Sequence, residues 1–390
     1  MPFCLNVFLR AIVYSFVLVS IFDRGYADDA ELQQALQRAG ENRSQLERAI
    51  EEAPAEQKAG MKFLVSNMPD SDLQSLTSEF LLSNSQLTWL AFNKAAWKDS
   101  VPEDVFLDCL LPYASVNEHR DQWRKDFYER FTPQINRAGT SGEAAALLNQ
   151  QVFPSLKVKY STGRKKADQS PFESMESGLA SCTGLSILLV DACRAVGIPA
   201  RIVGTPLWSD NSGNHTWVEV WDNGWHFTGA CEPSGKELNA AWFIDRASKA
   251  QRDHRLHAIY AVTFRRNGQS FPMVWAREVH DVFAVNVTDR YTSLRQPVPE
   301  GQGTVRFSVT ETGRGRRRSV PVRVAEESGT IVFEGKSKDD RFDANDHLTA
   351  HLRTGSTYQA TAGESQEHVQ FTVTEGEQLI ELTLPAGLTE

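Results

Sequence analysis

The stretch SGLASCTGLSILLVDACRAVGIPARIVG, residues 177–204, decides how the rest of the chain is read. Leu185, Leu188, Leu189, Ala192 and Val196 recur at three- and four-residue spacing, which predicts a helix with one apolar face. Gly197 and Pro199 supply its exit. Cys182 stands at the mouth of this helix between Ser181 and Thr183, with nothing apolar beside it. Cysteine is among the most readily buried residue types, and Ser, Thr, Asp and Asn are the usual helix caps. A thiol there meets free backbone N–H groups and the positive end of the helix dipole, and both favour the thiolate. Cys182 reads as a reactive thiol in a capping position, with an ordinary structural cap as the alternative.

Downstream, NHTWVEVWDNGWHFTGACEP (residues 214–233) carries the strongest turn signal in the chain. Asn223-Gly224 between alternating runs predicts a hairpin with a two-residue loop. In that register Asp222 faces Trp225, Val220 faces Phe227 and His215 faces Glu232; opposed Cβ atoms lie about 5 Å apart. Thr216 then faces Cys231, which turns that cysteine away from His215. A thiol, an imidazole and a carboxylate are the parts of a nucleophile, its base and an orienting acid. The expected catalytic residues are therefore Cys182, His215 and Glu232, with helix N-terminal amides, that of Cys182 included, as oxyanion donors. Asp245 is the fallback acid. Trp217, Trp221 and Trp225 read as hairpin packing, Trp208 and Trp242 as walls of a substrate channel, Arg201 as a local anchor and Cys193 as core.

At its start the chain reads MPFCLNVFLRAIVYSFVLVSIFDRGYADD. Arg10, a short apolar run over residues 11–22 and Gly25-Tyr26-Ala27 match a secretory signal peptide, residues 1–27. Its loss removes Arg10, Arg24 and Asp23, leaving 39 basic and 49 acidic residues and a formal charge of −10. An acidic exported chain is a poor nucleic-acid binder, and no later stretch is long and apolar enough to span a membrane. The dense basic segment GRGRRRS (313–319) reads as a solvated hairpin tip. Cys109, Cys182, Cys193 and Cys231 match no zinc spacing and no disulfide scaffold; a Cys109–Cys193 bridge stays open. No cofactor or metal is called for. Asn42, Asn214 and Asn286 begin glycosylation sequons, and a glycan on Asn214 would crowd His215.

Amphipathic helices are expected over 28–100, a mixed domain over 101–292, a Pro/Gly linker at 293–303 and a β-sandwich of Ig-like type over 304–390. Helices followed by an antiparallel sheet make the class α+β. FDANDH (342–347) lacks the remaining ligands of a calcium loop and reads as a strand-edge turn.

With these residues, the chain from roughly 100 to 290 resembles the transglutaminase-like superfamily, which includes transglutaminases, peptide N-glycanases and many bacterial proteins on a papain-related core. The Cys-helix-GIPAR segment and the H-x-W-x-E-V run carry the resemblance, and VPEDVFLDCLLPYASVNEHRDQW (101–123) is similar to the lead-in of bacterial members. The resemblance puts Cys182 and His215 on the family's catalytic Cys and His. The acid departs: the family's Asp position falls at Gly229, next to Ala230, so Glu232 is the replacement. What this implies is an exported thiol enzyme that attacks a peptide or protein amide through Cys182, with water (peptidase or amidase) or an amine (crosslinking) resolving the acyl-enzyme. The rival reading is a non-catalytic exported adaptor built on a degenerate domain of the same fold; the residues leave oligomeric state open.

Overall fold

The computed structural model describes residues 29–232, 235–313 and 315–385; the signal-peptide expectation for residues 1–27 lies outside them. The first segment is helical, with Asp29–Arg38, Arg43–Glu52, Lys58–Asn67 and Ser78–Lys94 as its main helices. Leu36, Leu46, Leu64 and Leu81 turn inward and share one apolar cluster with Phe106, Leu110, Leu111 and Tyr113. Among the described residues no helix is long and apolar enough to cross a membrane.

A second cluster surrounds the helix Cys182–Ala195. Every residue from Thr183 to Ala195 is buried, so the helix is wrapped on all sides rather than on one face. The buried guanidiniums on it and beside it are satisfied. Arg194 donates to the carbonyls of Cys109, Pro112, Ala114 and Ala200, and Arg124 donates to Asn84 Oδ1 and the carbonyls of Arg194 and Pro112. Periodicity would send such side chains to water. Here they stay inside because the irregular 109–114 backbone offers carbonyls that would otherwise be buried without partners. Cys109 and Cys193 are free thiols, both pushed up by burial, so the bridge left open between them is not formed.

Strands β1 (Lys159–Tyr160) and β2 (Leu179–Ala180) form a short parallel pair that leads into this helix. The central sheet comprises β3 (Ala200–Thr205), β4 (His215–Trp221), β5 (Trp225–Thr228), β6 (Tyr260–Thr263) and β7 (Phe283–Asn286). Its order is β5-β4-β3-β6-β7, antiparallel throughout, with the Cys182 helix packed on β3 and β4.

The β4–β5 hairpin differs by one residue from the expected register. Trp221 faces Trp225, Val220 faces His226 and Glu219 faces Phe227, around a three-residue loop Asp222-Asn223-Gly224. Tertiary contacts pull Asp222 out of the strand: its Oδ2 accepts from Gly142 N at 3.2 Å, and the carbonyl of Trp221 accepts from Ser141 Oγ at 2.6 Å. Asn223 adopts φ 54°, which Asn tolerates better than most residues. A slip of one residue reassigns every facing pair. The ladder also stops at Val218–Thr228, so Glu232 does not stand across from His215.

Beyond residue 300, β8 (Gln302–Glu311), β9 (Pro321–Glu326), β10 (Ile331–Lys336), β11 (Leu348–Arg353), β12 (Thr357–Ala362), β13 (His368–Thr372) and β14 (Glu377–Leu384) form two sheets. Their orders are β10-β9-β12-β13 and β11-β8-β14, and β14 runs parallel to β8. Val305, Phe307, Val322, Val324, Ala360 and Leu382 from both sheets share one apolar cluster. This part meets the core through charge. Arg306 reaches Asp210 Oδ2 at 3.0 Å and Glu377 Oε2 at 2.9 Å, while Lys249 pairs with Asp245 at 2.7 Å and with Glu377. Asp245, the fallback acid of the sequence reading, pairs instead with Lys249 and Arg306 in this seam.

Glu219 anchors the centre of the sheet. Fully buried, it accepts from Arg201 Nε (2.9 Å) and Nη2 (2.7 Å), from Arg290 and from Tyr291 OH (2.9 Å), and Tyr291 OH accepts in turn from Trp217 Nε1 at 2.7 Å. Arg201 also lies over the Trp225 ring, 3.7 Å from its centroid. Removing one side of a buried, hydrogen-bonded charge pair costs about 3–5 kcal/mol. Glu219→Gln is expected to lower unfolding free energy by that amount, read by denaturant titration; a loss near zero would show that the network contributes no stability.

Candidate active site

Cys182 is the first residue of its helix, one position inside the cap. Ser181 is the N-cap: its Oγ accepts from Gly184 N at 3.1 Å and donates to the carbonyl of Ala167 at 2.6 Å. The cap expected of Cys182 is therefore supplied by its neighbour, and the thiol is left free for other contacts. It is half-buried and unbridged.

His215 begins β4 and pairs with Thr205 on β3. One residue further on, Thr216 Oγ1 lies 3.0 Å from Thr183 Oγ1, a buried bond that ties the start of the strand to the first turn of the helix. Cys182 and His215 are adjacent to these two threonines, so the bond sets their spacing. The imidazole is buried, with a side chain 1% exposed. Trp208 and Trp217 stack near it, with centroids 6.0 Å and 5.9 Å away, and Trp242 and Phe243 close the remaining sides at 4.9 Å and 5.1 Å. Trp208 is buried against His215 and Trp217 as a wall of the imidazole pocket.

The carboxylate that faces the imidazole is Asp343. Its Oδ2 lies 3.4 Å from His215 Nδ1, an ion-pair distance slightly long for a hydrogen bond, and its side chain is 2% exposed. The sulfur of Cys182, a ring nitrogen of His215 and a carboxylate oxygen of Asp343 all lie within 4.8 Å of one another. Burial disfavours both charges, yet each group holds the other ionised. The Asp343 carboxylate, with the thiol, carries His215 well above its ordinary range. The imidazole and the two hydrogen bonds from Asn345 hold Asp343 below the usual carboxylate range.

Asp343 belongs to FDANDH, read from the sequence as a strand-edge turn. It lies in the loop between β10 and β11, and this loop reaches back over the core. Asn345 Nδ2 donates to the carbonyl of Asn214 at 3.1 Å, and Ala344 N donates to Tyr160 OH at 3.0 Å. The missed signal is the Asp-x-Asn-Asp-His cluster, which interrupts an otherwise alternating strand pattern with side chains suited to fold a tight loop.

Glu232 lies close by in a different role. Its Oε2 accepts from Trp242 Nε1 at 2.7 Å, and its side chain fills the space where a Cβ on Gly229 would stand, with Oε2 2.2 Å from that point. Burial, together with the Asp343 and Asp346 charges and against the pull of His215, raises its carboxyl to about 8. Glu232 is thus a hydrogen-bonded filler whose neutral form is favoured by burial, and the carboxylate against His215 is Asp343, not the Glu232 expected from the sequence. Cysteine, histidine and aspartate are also zinc-ligand types.

Residues 129–229 match the transglutaminase-like superfamily, a stretch that spans both Cys182 and His215. The chain carries a transglutaminase-like domain. Solved structures similar to it include a candidate cysteine protease from Cytophaga hutchinsonii (17% identity, 28% of this chain and 38% of that one, TM-score 0.25). Red sea bream transglutaminase is another (9% identity, 71% and 60%, TM-score 0.28), as is the Bacillus anthracis TIE protein (12% identity, 48% and 30%, TM-score 0.18). The chain covers less than two thirds of each of these proteins. No curated protein matches it.

The raised Glu232 carboxyl has a measurable sign. The unfolded chain releases this proton near the ordinary 4.5, the folded protein near 8. Its contribution to stability is therefore intact below about pH 4.5 and is lost as pH rises toward 8. Glu232→Gln keeps an acceptor for Trp242 and cannot ionise. Its unfolding free energy is expected to gain on the wild type steadily from pH 5 to pH 8; a difference that stays flat across that range contradicts a buried, proton-bearing Glu232.

Proposed function

We propose that the chain is an exported thiol enzyme of acyl transfer, with Cys182 as nucleophile, His215 as base and Asp343 as the acid that orients and charge-balances the imidazole. The observation that carries this reading is the convergence of three side chains from sequence positions 182, 215 and 343 at one point. One is half-buried at the surface, and the other two are buried and mutually charge-stabilised.

In the reaction Cys182 Sγ, its proton held on the His215 imidazolium, bonds as thiolate to the carbonyl carbon of an amide. The C–N bond then breaks, and the departing amine leaves with the proton held on His215. Amides of the first helical turn, which have no intrahelical acceptor, are the oxyanion donors. Water or a second amine then attacks the thioester, giving hydrolysis or crosslinking. Loose contacts in an unliganded site are usual and tighten around substrate. The leader-like first 27 residues support export, and the two sheets after residue 300, sharing one core, support a β-sandwich that completes the site.

Iodoacetamide alkylation of Cys182, followed by mass spectrometry between pH 5 and 9, tests the reading without a known substrate. Wild-type Cys182 is expected to be alkylated faster than a free thiol at mildly acidic pH. His215→Ala is expected to move its profile to that of an ordinary thiol. Asp343→Asn should slow the reaction near neutral pH, and on an amide substrate should cut turnover by up to about 10⁴-fold. Glu232→Gln should leave both near wild type. A wild-type profile in Asp343→Asn, or a collapse in Glu232→Gln, reassigns the acid. Unchanged reactivity in His215→Ala removes the enzyme reading.

A further inference from the structure

The dense basic segment at 313–319 is not only a solvated tip. Arg317 is turned inward, its side chain 12% exposed, and the 339–346 loop is folded around its guanidinium. Nη2 donates to the carbonyls of Asp339 (2.8 Å), Phe342 (2.6 Å) and Asp343 (2.9 Å). Nη1 donates to those of Asp346 (3.0 Å) and Ala344 (3.4 Å), and Nε faces Asp340 Oδ1 at 3.7 Å. The carbonyls thus bound include that of Asp343 and that of the residue next to it on either side. Five carbonyls converging on one cation fix the path of the backbone that presents Asp343. Only a planar fork offers donors in enough directions for this; an ammonium is a compact point charge with three.

We propose that Arg317 is the positioning residue of the site: its guanidinium is the hub that sets the Asp343 carboxylate against His215, so that the sheets after residue 300 are part of the catalytic apparatus. This rests on Asp343 being the orienting acid. Arg317 touches no reacting atom and acts only through the loop. Its neighbour Arg318 turns elsewhere, pairing with Glu311 at 3.1 Å, and makes an internal control. The contact with His215, at 3.4 Å, is already slightly long for a hydrogen bond. A loop that drifts by about 1 Å therefore loses the interaction, and misplacements of that size cost on the order of 100-fold in rate.

The test uses the full mature chain and the same probe, iodoacetamide on Cys182 across pH 5–9, in Arg317→Lys, Arg317→Met, Arg318→Met, Asp343→Asn and the Arg317→Met/Asp343→Asn double variant. Thermal unfolding confirms that each is folded at the assay temperature. Arg317→Lys keeps the charge and is the milder variant should Arg317→Met fail to fold. Expected is a slowing of about 10- to 100-fold near neutral pH in Arg317→Lys, with the pH profile moved in the same direction as in Asp343→Asn. Arg318→Met should keep the wild-type profile. The double variant should be no slower than Asp343→Asn alone, because both changes remove one interaction. A wild-type profile in folded Arg317→Lys, or effects of Arg317→Met and Asp343→Asn that multiply, overturns the inference while leaving the site assignment standing. If Asp343→Asn itself behaves as wild type, the assignment of the acid fails first.

Discussion

A buried imidazolium must have a carboxylate beside it, and most of this architecture follows from where that carboxylate comes from. His215 is enclosed by Trp208, Trp217, Trp242 and Phe243, which exclude water and leave its charge without solvent. Unpaired, it would lose its proton. Asp343 supplies the missing charge from a loop 128 positions further along the chain, and the pairing ionises both groups against the cost of burial. The Thr183–Thr216 bond places the sulfur and the ring, and the loop around Arg317 places the acid.

Such an arrangement makes the last third of the chain more than an appendage. Its contacts with the core include ion pairs, Arg306 with Asp210 and Asp245 and Lys249 with Glu377. Ion pairs define register and orientation more sharply than apolar packing, which tolerates sliding. That suits a junction that must set one carboxylate within reach of one nitrogen. Glu232 completes the picture by filling the space next to Gly229 with a neutral acid. A second charged carboxylate there would compete with Asp343 for the same imidazole, and burial prevents it.

Much of the site was legible because its signals are local. The leucine spacing, Gly197 and Pro199 define the Cys182 helix, and the alternation after Asn214 defines a strand that starts at His215. Both residues meet as expected. The hairpin register was not legible, since Gly142 binds the Asp222 carboxylate and Ser141 the Trp221 carbonyl, contacts made across eighty positions. With the register went the case for Glu232 as the partner of His215.

By itself, the sequence determined the antiparallel mixed core, the helix that bears the thiol and the strand that bears the imidazole, because period, caps and turn residues act over a few positions. Tertiary structure alone decided which carboxylate faces the imidazole. FDANDH and GRGRRRS are unremarkable polar loops until they fold against one another, and their carboxylate and guanidinium gain direction only from carbonyls and a ring that the chain brings together over long separations. Local periodicity carries no information about such meetings, since they depend on how whole layers dock.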